Sequence, residues 1–397
     1  MALRRLVPVL RRSLWGPLAL VLGLALAFTI SAARPASSAK PLDGKTVFRF
    51  DTFGDEQLWT DTLRLNEVIE TSVSPAAALA IGLKVDSAAL PPGFLATHDL
   101  NHPATTVELI RLNAVVGVVG RVAGGQLKTV GVTCALCHST VDDSVTRGVG
   151  QRLDGWPNLD LDPGAIIALS PALSPAQKAV YNSWGPGKYD PRFNVDGING
   201  PVVIPPAFGL QGVGFETFTA DGPISYWNNY VAVTQMGGHG SFSDPRIGID
   251  INQTPDLVTP KLPALLRYQL SLKTPPPPTG SFDPTAARRG EALFKGRATC
   301  ASCHIPPTYT DVLSGPDPTV PLLHHASETG MEPVYASRSA TKQYRTTPLR
   351  ALWQHPPYFH DGSAPDLTAV VNHYDRFFGL GLSDRQKTDL IEFLKSL

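Results

Sequence analysis

The chain has 397 residues, of which 43% are hydrophobic and 17% charged, so it is long enough for two globular domains. Basic and acidic residues balance at 34 each, but residues 1–39 contain five arginines and no acid, so the remainder of the chain is net acidic. A net negative charge argues against nucleic acid and anionic membrane surfaces as partners.

Residues 1–39 have the pattern of an export signal peptide. Arginines near the N-terminus precede the apolar stretch Leu18–Ile30, and small residues then offer cleavage sites after Ala33 or Ala39. A retained membrane anchor is the alternative, although the apolar stretch is short for a membrane span. We expect a periplasmic or secreted protein with no stable membrane insertion once the leader is cleaved.

Two segments before the first cysteine have the spacing of helices. They are residues 55–70 and residues 105–125, the second ending at the pair Gly124 and Gly125.

All four cysteines belong to two copies of the pattern Cys-x-x-Cys-His. On one helical turn the two thiols share a face, where they can form thioethers with the haem vinyl groups, and the following His binds the iron. A redox dithiol has no use for the His, and a shared zinc site would need both copies around one ion. We therefore predict two covalently bound haem c groups. The attachment residues are Cys134, Cys137, Cys300 and Cys303, and the iron ligands are His138 and His304.

The proline-rich segment 274–284 separates the two motifs and is the predicted domain boundary, because consecutive prolines favour an extended spacer. Residues 40–273 are the predicted N-terminal cytochrome c-like domain with the first haem, and residues 285–397 the C-terminal class I-like domain with the second. Residues 184–240, rich in Gly, Pro, Asn and aromatics, are expected to be ordered loops over a haem edge. The predicted fold class is mainly α, with two cytochrome c-like haem domains, the first enlarged by long irregular loops.

The C-terminal domain begins and ends with a predicted helix. Asp283 and Pro284 form a helix start that leads into the second motif, and Ser383 with Gln386 forms a capping box for the last helix. In class I-like cytochrome c domains the two terminal helices usually cross at a small residue, for which Gly290 is available.

The stretch from Tyr344 to Phe378, "YRTTPLRALWQHPPYFHDGSAPDLTAVVNHYDRFF", resembles the segment after the second haem in bacterial di-haem cytochrome c peroxidases. It is also similar to the corresponding segments of the di-haem enzyme that matures tryptophan tryptophylquinone and of the di-haem rubber oxygenases. The resemblance is specific over residues 285–397 and looser over 120–240. It implies two mostly helical cytochrome c domains with the haems near their shared interface.

The resemblance leaves several candidates for the sixth ligand of the second haem. The peroxidases place a Met on the helix that begins near Leu367; this chain has Tyr374 at that position, as in the tryptophylquinone-forming enzyme. The rubber oxygenases use the His that matches His360. We expect His360 as the axial ligand, followed by Tyr374 and then His373. The alternatives are a core aromatic role for Tyr374 and contact with a haem propionate for His360.

The first haem differs more from the peroxidases, because no His occurs between His138 and His239. Its iron therefore has either an open sixth position, which could bind peroxide or dioxygen, or a distant ligand such as Met236 or His239. The peroxidases carry a catalytic Glu before a Met-Gly pair, and the matching residue here is Gln235. A neutral amide cannot act as an acid–base, so we name both Gln235 and His239 as catalytic candidates.

The resemblance also implies relay tryptophans, for which Trp156, Trp184 and Trp227 are candidates, and one structural Ca²⁺ held by Asn158 and the backbone of residues 355–357. His324 and His325 are expected to be solvated.

The predicted function is a periplasmic di-haem redox enzyme of the cytochrome c peroxidase type. The C-terminal haem would take electrons from a small soluble cytochrome c or cupredoxin, and peroxide or dioxygen would be reduced at the N-terminal haem. A non-enzymatic electron carrier and a haem dioxygenase like the rubber oxygenases are the alternatives. The sequence leaves the oligomeric state open, a homo-oligomer included.

Overall fold

The computed structural model describes residues 42–397, so the predicted leader lies outside the described residues. These residues form one compact, mainly helical unit, and none of their helices is both long and apolar enough to cross a membrane. The helices are α1 Gly44–Phe50, α2 Leu65–Ser72, α3 Pro75–Ala80, α4 Phe94–Thr97, α5 Pro103–Arg111, α6 Ala135–His138, α7 Pro163–Ala168, α8 Pro175–Asn182, α9 Phe193–Asp196, α10 Ile224–Tyr230, α11 Leu262–Ser271, α12 Pro284–Lys295, α13 Ala326–Thr329, α14 Val334–Ser337, α15 Leu367–Phe378 and α16 Asp384–Lys395. The strands are β1 Val85–Asp86, β2 Val118–Ala123, β3 Gln126–Val132, β4 Ser139–Val141, β5 Val149–Gly150, β6 Arg152–Asp154, β7 Lys188–Tyr189, β8 Val202–Val203, β9 Phe242–Asp244 and β10 Ile249–Ile251.

Both helices predicted before the first cysteine are interrupted or shorter than expected. In residues 55–70, a π-helical turn at Gln57–Thr62 and helix α2 are separated by Arg64, whose φ of 55° is left-handed. A left-handed residue breaks a right-handed helix, so the two pieces cannot be continuous. The second predicted helix ends at Arg111.

The remainder of that second segment is a β-hairpin. Strands β2 and β3 pair antiparallel across Gly124 and Gly125, whose φ angles are 61° and 77°. A two-residue turn with positive φ at both positions is what glycine pairs favour in hairpins. The interpretation of the glycine pair as a helix end was therefore wrong, and strand β3 delivers the chain directly to the first cysteine motif.

The apolar core has two main parts. The larger part is built from residues between positions 47 and 265, and the second from residues between 294 and 394. Between α11 and α12 the chain has no helix or strand. Two small clusters join residues from both sides of this segment, one around Val202 and Tyr335 and the other around Val213 and Val312. The domain boundaries given above stay a prediction.

The two helices predicted at the ends of the C-terminal region are present. Asp283 caps α12 through Thr285 and Ala286 N–H groups, and the capping box of Ser383 and Gln386 starts α16. The helices cross at Gly290, where an added Cβ would lie 1.9 Å from the carbonyl oxygen of Asp389. Only glycine allows this approach, so the predicted crossing point is confirmed.

Candidate haem centres

The first Cys-x-x-Cys-His motif forms the single helical turn α6 directly after the hairpin. The Nδ1 of His138 donates to the carbonyl oxygen of Pro205 at 3.1 Å, which leaves Nε2 for a metal. Cys134, Cys137 and His138 are enclosed by protein, yet each keeps some accessible surface, so the three side chains line an internal space. Burial lowers the pKa of His138 to about 4, and the neutral imidazole is the form that binds iron.

The second motif has the same arrangement on a 3₁₀ turn, Cys300–Ser302. The Nδ1 of His304 donates to the carbonyl oxygen of Tyr309 at 3.0 Å. Burial lowers the pKa of His304, which is also enclosed but partly accessible. Each motif therefore presents a neutral imidazole whose orientation is fixed by a backbone carbonyl.

All four cysteines are free. Burial raises the pKa of Cys134 and Cys137 to about 12 and that of Cys300 to about 11, and it also raises the pKa of Cys303. Neutral thiols do not suit a reactive dithiol, which uses a thiolate. Two thiols beside an oriented imidazole fit the attachment of haem c, so the residues present suit the predicted cofactor.

Tyr374 faces the second motif. Its pKa is raised, first by burial and further by the nearby thiols of Cys300 and Cys303. The ring stacks on Phe378 with a centroid distance of 6.0 Å, and its hydroxyl has no hydrogen-bond partner among residues 42–397. The phenol oxygen is therefore available to a metal in the space that these cysteines line.

His360 lies in a different environment, a buried aromatic cluster. Its Nε2 is 3.0 Å from the Tyr344 hydroxyl and 3.4 Å from a carboxylate oxygen of Glu332. The rings of Tyr335 and Phe218 pack against it. The third candidate on the C-terminal side, His373, is also engaged, because its Nε2 donates to the carbonyl oxygen of Thr329 at 2.8 Å.

Gln235 is buried at the end of a π-helical turn, Val231–Gln235. Its amide accepts a hydrogen bond from the Tyr189 hydroxyl at 3.1 Å and donates to Thr234 Oγ1 at 2.9 Å. Tyr189 was not among the candidates named from the sequence, and the structure places it near Cys137. His239 is half-buried, and within the described residues no hydrogen bond joins its side chain to Gln235 or to the first motif.

A tryptophan pair connects the surroundings of the first motif to the C-terminal part of the chain. The chain around Trp156 is held to the first motif, because Gly155 and Asn158 donate their N–H groups to the carbonyls of His138 and Cys137. The ring of Trp156 meets Trp353 edge-to-face, with 5.7 Å between ring centroids. Trp353 was not a relay candidate in the sequence. Trp184 and Trp227 are buried in the N-terminal part of the core.

Two further expectations concern Asn158, a predicted Ca²⁺ ligand, and His324, which was expected to be solvated. The Oδ1 of Asn158 is buried and has no hydrogen-bond partner among the described residues, which suits a cation ligand. His324 is not solvated as expected. Its two ring nitrogens lie 3.0 Å from carboxylate oxygens of Asp311 and Glu328, and these partners raise its pKa to about 9.

Comparison with curated proteins finds similarity to named peroxidases. The chain is 32% identical over 173 residues to the cytochrome-c peroxidase IdrP2 of Pseudomonas sp. (strain SCT), a match that covers 34% of this chain and 47% of that protein. It is 33% identical over 129 residues to the methylamine utilization protein MauG of Methylorubrum extorquens, covering 28% of this chain and 34% of MauG. Over these parts of its length the chain is similar to cytochrome-c peroxidases and to MauG.

The resemblance to the di-haem cytochrome c peroxidase superfamily is thus confirmed over part of the chain; the relatives named cytochrome-c peroxidases are oxidoreductases, and together these relatives imply haem c as the cofactor. The match spans less than half of the length of these two relatives. No protein-family model matches the chain. Among solved structures, hydrazine synthase of Kuenenia stuttgartiensis pressurised with xenon matches with a TM-score of 0.31 and 20% identity, over 50% of this chain and 73% of that one. A TM-score this low carries no structural argument.

Proposed function

We propose that the protein is an exported di-haem c-type redox enzyme that accepts electrons at the C-terminal haem and reduces peroxide or dioxygen at the N-terminal haem. The proposal includes two cytochrome c-like domains, residues 40–273 and 285–397. Bound haem c supplies one-electron redox chemistry and an iron site that can hold an oxygen ligand. The four motif cysteines form the covalent attachments, and His138 and His304 are the proximal ligands.

The observation that carries the proposal is a difference between the two sites. Beside Cys300 and Cys303, Tyr374 offers a phenol oxygen that makes no hydrogen bond to any described residue. Beside Cys137, the hydroxyl hydrogen of Tyr189 is donated to Gln235. One site therefore has a side chain ready to complete the coordination of iron, and the other presents an amide, oriented by a phenol, that is suited to hold a small oxygen ligand. We propose Tyr374, ahead of His360, as the sixth ligand of the second haem.

The edge-to-face pair of Trp156 and Trp353 supports a route for electrons between the sites. Exposed apolar side chains beside the second site support docking of a small cytochrome c or cupredoxin there. Ile305 follows His304 directly, and Phe378, which is half exposed, stacks on Tyr374. The orphaned Oδ1 of Asn158 supports the structural Ca²⁺.

Four measurements on the purified protein test the proposal. A pyridine haemochrome spectrum and the intact mass should report two covalent porphyrins per chain. Electron paramagnetic resonance of the oxidised protein should show one high-spin and one low-spin iron. Mixing with hydrogen peroxide should change the Soret band. An unchanged band would show that the protein does not react with peroxide.

The alternatives predict other results for the same sample. Two low-spin irons and no binding of carbon monoxide or cyanide would identify an electron carrier. A stable oxygen complex in the protein as purified would identify a dioxygenase.

A further inference from the structure

The orientation of the Gln235 amide is determined by its neighbours. Thr234 donates its hydroxyl hydrogen to the carbonyl oxygen of Tyr230 at 2.6 Å. Because a hydroxyl has one hydrogen, Thr234 can only accept from Gln235, so the amide atom that faces it must be Nε2. On the other side, Tyr189 donates to Oε1. Both contacts require the same orientation of the amide. The second hydrogen of Gln235 Nε2 makes no hydrogen bond to Thr234 or Tyr189.

Tyr189 connects this network to the first cysteine motif. Burial raises the pKa of Tyr189, and the nearby Cys137 thiol adds to the effect. Strand β7, which carries Tyr189, pairs with β8, and two residues after β8 the carbonyl of Pro205 holds the proximal His138. The rings of Trp184 and Tyr189 pack edge-to-face, with 5.2 Å between their centroids, and this contact helps to position the Tyr189 ring. The phenol therefore lies near Cys137, packs on Trp184 and donates to the Gln235 amide.

We propose that Tyr189 is a positioning residue that makes Gln235 a hydrogen-bond donor to an oxygen ligand at the first haem. The inference rests on the proposed function of that site. Without the Tyr189 hydroxyl, the amide can rotate and present its carbonyl oxygen, which repels a negatively charged or oxygen-rich ligand. A neutral amide cannot transfer a proton, but a fixed N–H group stabilises negative charge on a bound oxygen at no cost of reorganisation.

Cyanide binding to the oxidised holoprotein, followed at the Soret band, tests the assignment. Tyr189→Phe removes only the hydroxyl and should weaken cyanide binding about tenfold, which corresponds to 1.4 kcal/mol and to the loss of one hydrogen bond. The matched control is Tyr181→Phe, because Tyr181 packs on the same Trp184 and its hydroxyl has no hydrogen-bond partner among the described residues. That control should bind cyanide as the unmodified protein does.

A double-mutant cycle separates positioning from a general effect on the fold. Gln235→Leu should also weaken cyanide binding, and Tyr189→Phe should add nothing in the Gln235→Leu background. Additive losses, or a Tyr189→Phe protein that binds like the control, would overturn the inference. Should Tyr189→Phe fail to accumulate, Thr234→Val removes the other contact that orients the amide and must weaken binding in the same direction.

The same measurements distinguish a failure of the proposed function from a failure of the role assigned to Tyr189. An unmodified holoprotein that binds neither cyanide nor peroxide at any iron refutes both statements. An unmodified protein that binds cyanide, with no loss in Tyr189→Phe, refutes only the role of Tyr189.

Discussion

The Nε2 of His360 donates its hydrogen to the hydroxyl oxygen of Tyr344 at 3.0 Å. The direction of this bond follows from the second contact of Tyr344, whose single hydroxyl hydrogen is donated to the carbonyl oxygen of Glu332 at 2.7 Å. His360 Nε2 is therefore a protonated donor without a lone pair for a metal, so only Nδ1 of this ring could act as a ligand. The Tyr374 hydroxyl, in contrast, has no hydrogen-bond partner among residues 42–397 and lies near Cys300 and Cys303, so the geometry favours Tyr374 as the ligand.

We expect Tyr374→Phe to change the second haem and His360→Gln to leave its ligation intact. Loss of the phenol oxygen should convert the low-spin signal into a high-spin one in electron paramagnetic resonance. Gln at position 360 keeps a donor for Tyr344, so the spectrum should match that of the unmodified protein. A spectral change in His360→Gln with none in Tyr374→Phe would restore the order of ligands expected from the sequence.

The Trp156–Trp353 contact predicts the path of electrons between the sites. Trp353→Phe should slow the transfer of an electron from the second haem to the first after rapid photoreduction, because the smaller phenyl ring widens the gap to Trp156, whose ring centroid now lies 5.7 Å from that of Trp353. Trp184→Phe is the matched control, since it makes the same change of ring at a tryptophan that packs on Tyr181 and Phe193 and has no ring contact with Trp353. Equal transfer rates in both variants would exclude this path.

Features with a complete local signal were predictable from the sequence. The cysteine motifs, the N-cap Asp283 and the capping box of Ser383 and Gln386 each depend on residues a few positions apart, whereas Gly290 was identified from the pattern of class I-like cytochrome c domains. The hairpin at Gly124 and Gly125 also had a local signal, but valine-rich runs fit helix and strand spacing alike, and the glycine pair was assigned to a helix end.

The rest depended on contacts between distant residues. Tyr189 reaches Gln235 across 46 positions, and Trp156 reaches Trp353 across the whole proline-rich segment. His324 was expected in solvent because its own neighbours are polar, but Asp311, 13 positions away, folds against it. Such partners are chosen by the tertiary fold, and a single sequence carries no direct record of them.

The pairing of His324 predicts a loss of stability in alkaline solution. Hydrogen bonds to Asp311 and then Glu328 raise the pKa of His324 to about 9, above its value of about 6.5 in an unfolded chain. The charged imidazole therefore stabilises the fold fully below pH 6.5, and this contribution is lost as pH rises through 9. Thermal unfolding midpoints measured from pH 6 to 10 should fall over this window, and less steeply in His324→Gln. His98→Gln, which removes an exposed imidazole, should retain the slope of the unmodified protein.

Gly290 predicts a steric limit at the crossing of α12 and α16. Gly290→Ala would place a methyl group 1.9 Å from the carbonyl oxygen of Asp389, so the two helices must separate. We expect the free energy of unfolding to decrease by about 1–3 kcal/mol, as for other overpacked cores. Gly315→Ala is the control, because an added Cβ there has no atom within 4 Å. Equal denaturation midpoints for the two variants would contradict the close crossing.

Arg338 joins the C-terminal part of the chain to the N-terminal part through buried charges. Its guanidinium donates to both carboxylate oxygens of Asp190 and also pairs with Asp196 at 2.8 Å. The Arg338 and Asp190 side chains are 3% and 0% exposed. Arg338→Met should therefore lower the free energy of unfolding by about 3–5 kcal/mol, because it leaves the Asp190 carboxylate buried without a counter-charge.

The double variant Arg338→Met/Asp190→Asn tests this cause. Removing both charges abolishes the uncompensated carboxylate, so much of the lost stability should return, measured by chemical denaturation of the holoprotein. Arg288→Gln, at an exposed position of α12 with no ion pair to the described residues, should leave the denaturation midpoint unchanged. A double variant no more stable than Arg338→Met would show that the guanidinium acts through its bonds to Ile198 and Gly200 carbonyls instead of through charge.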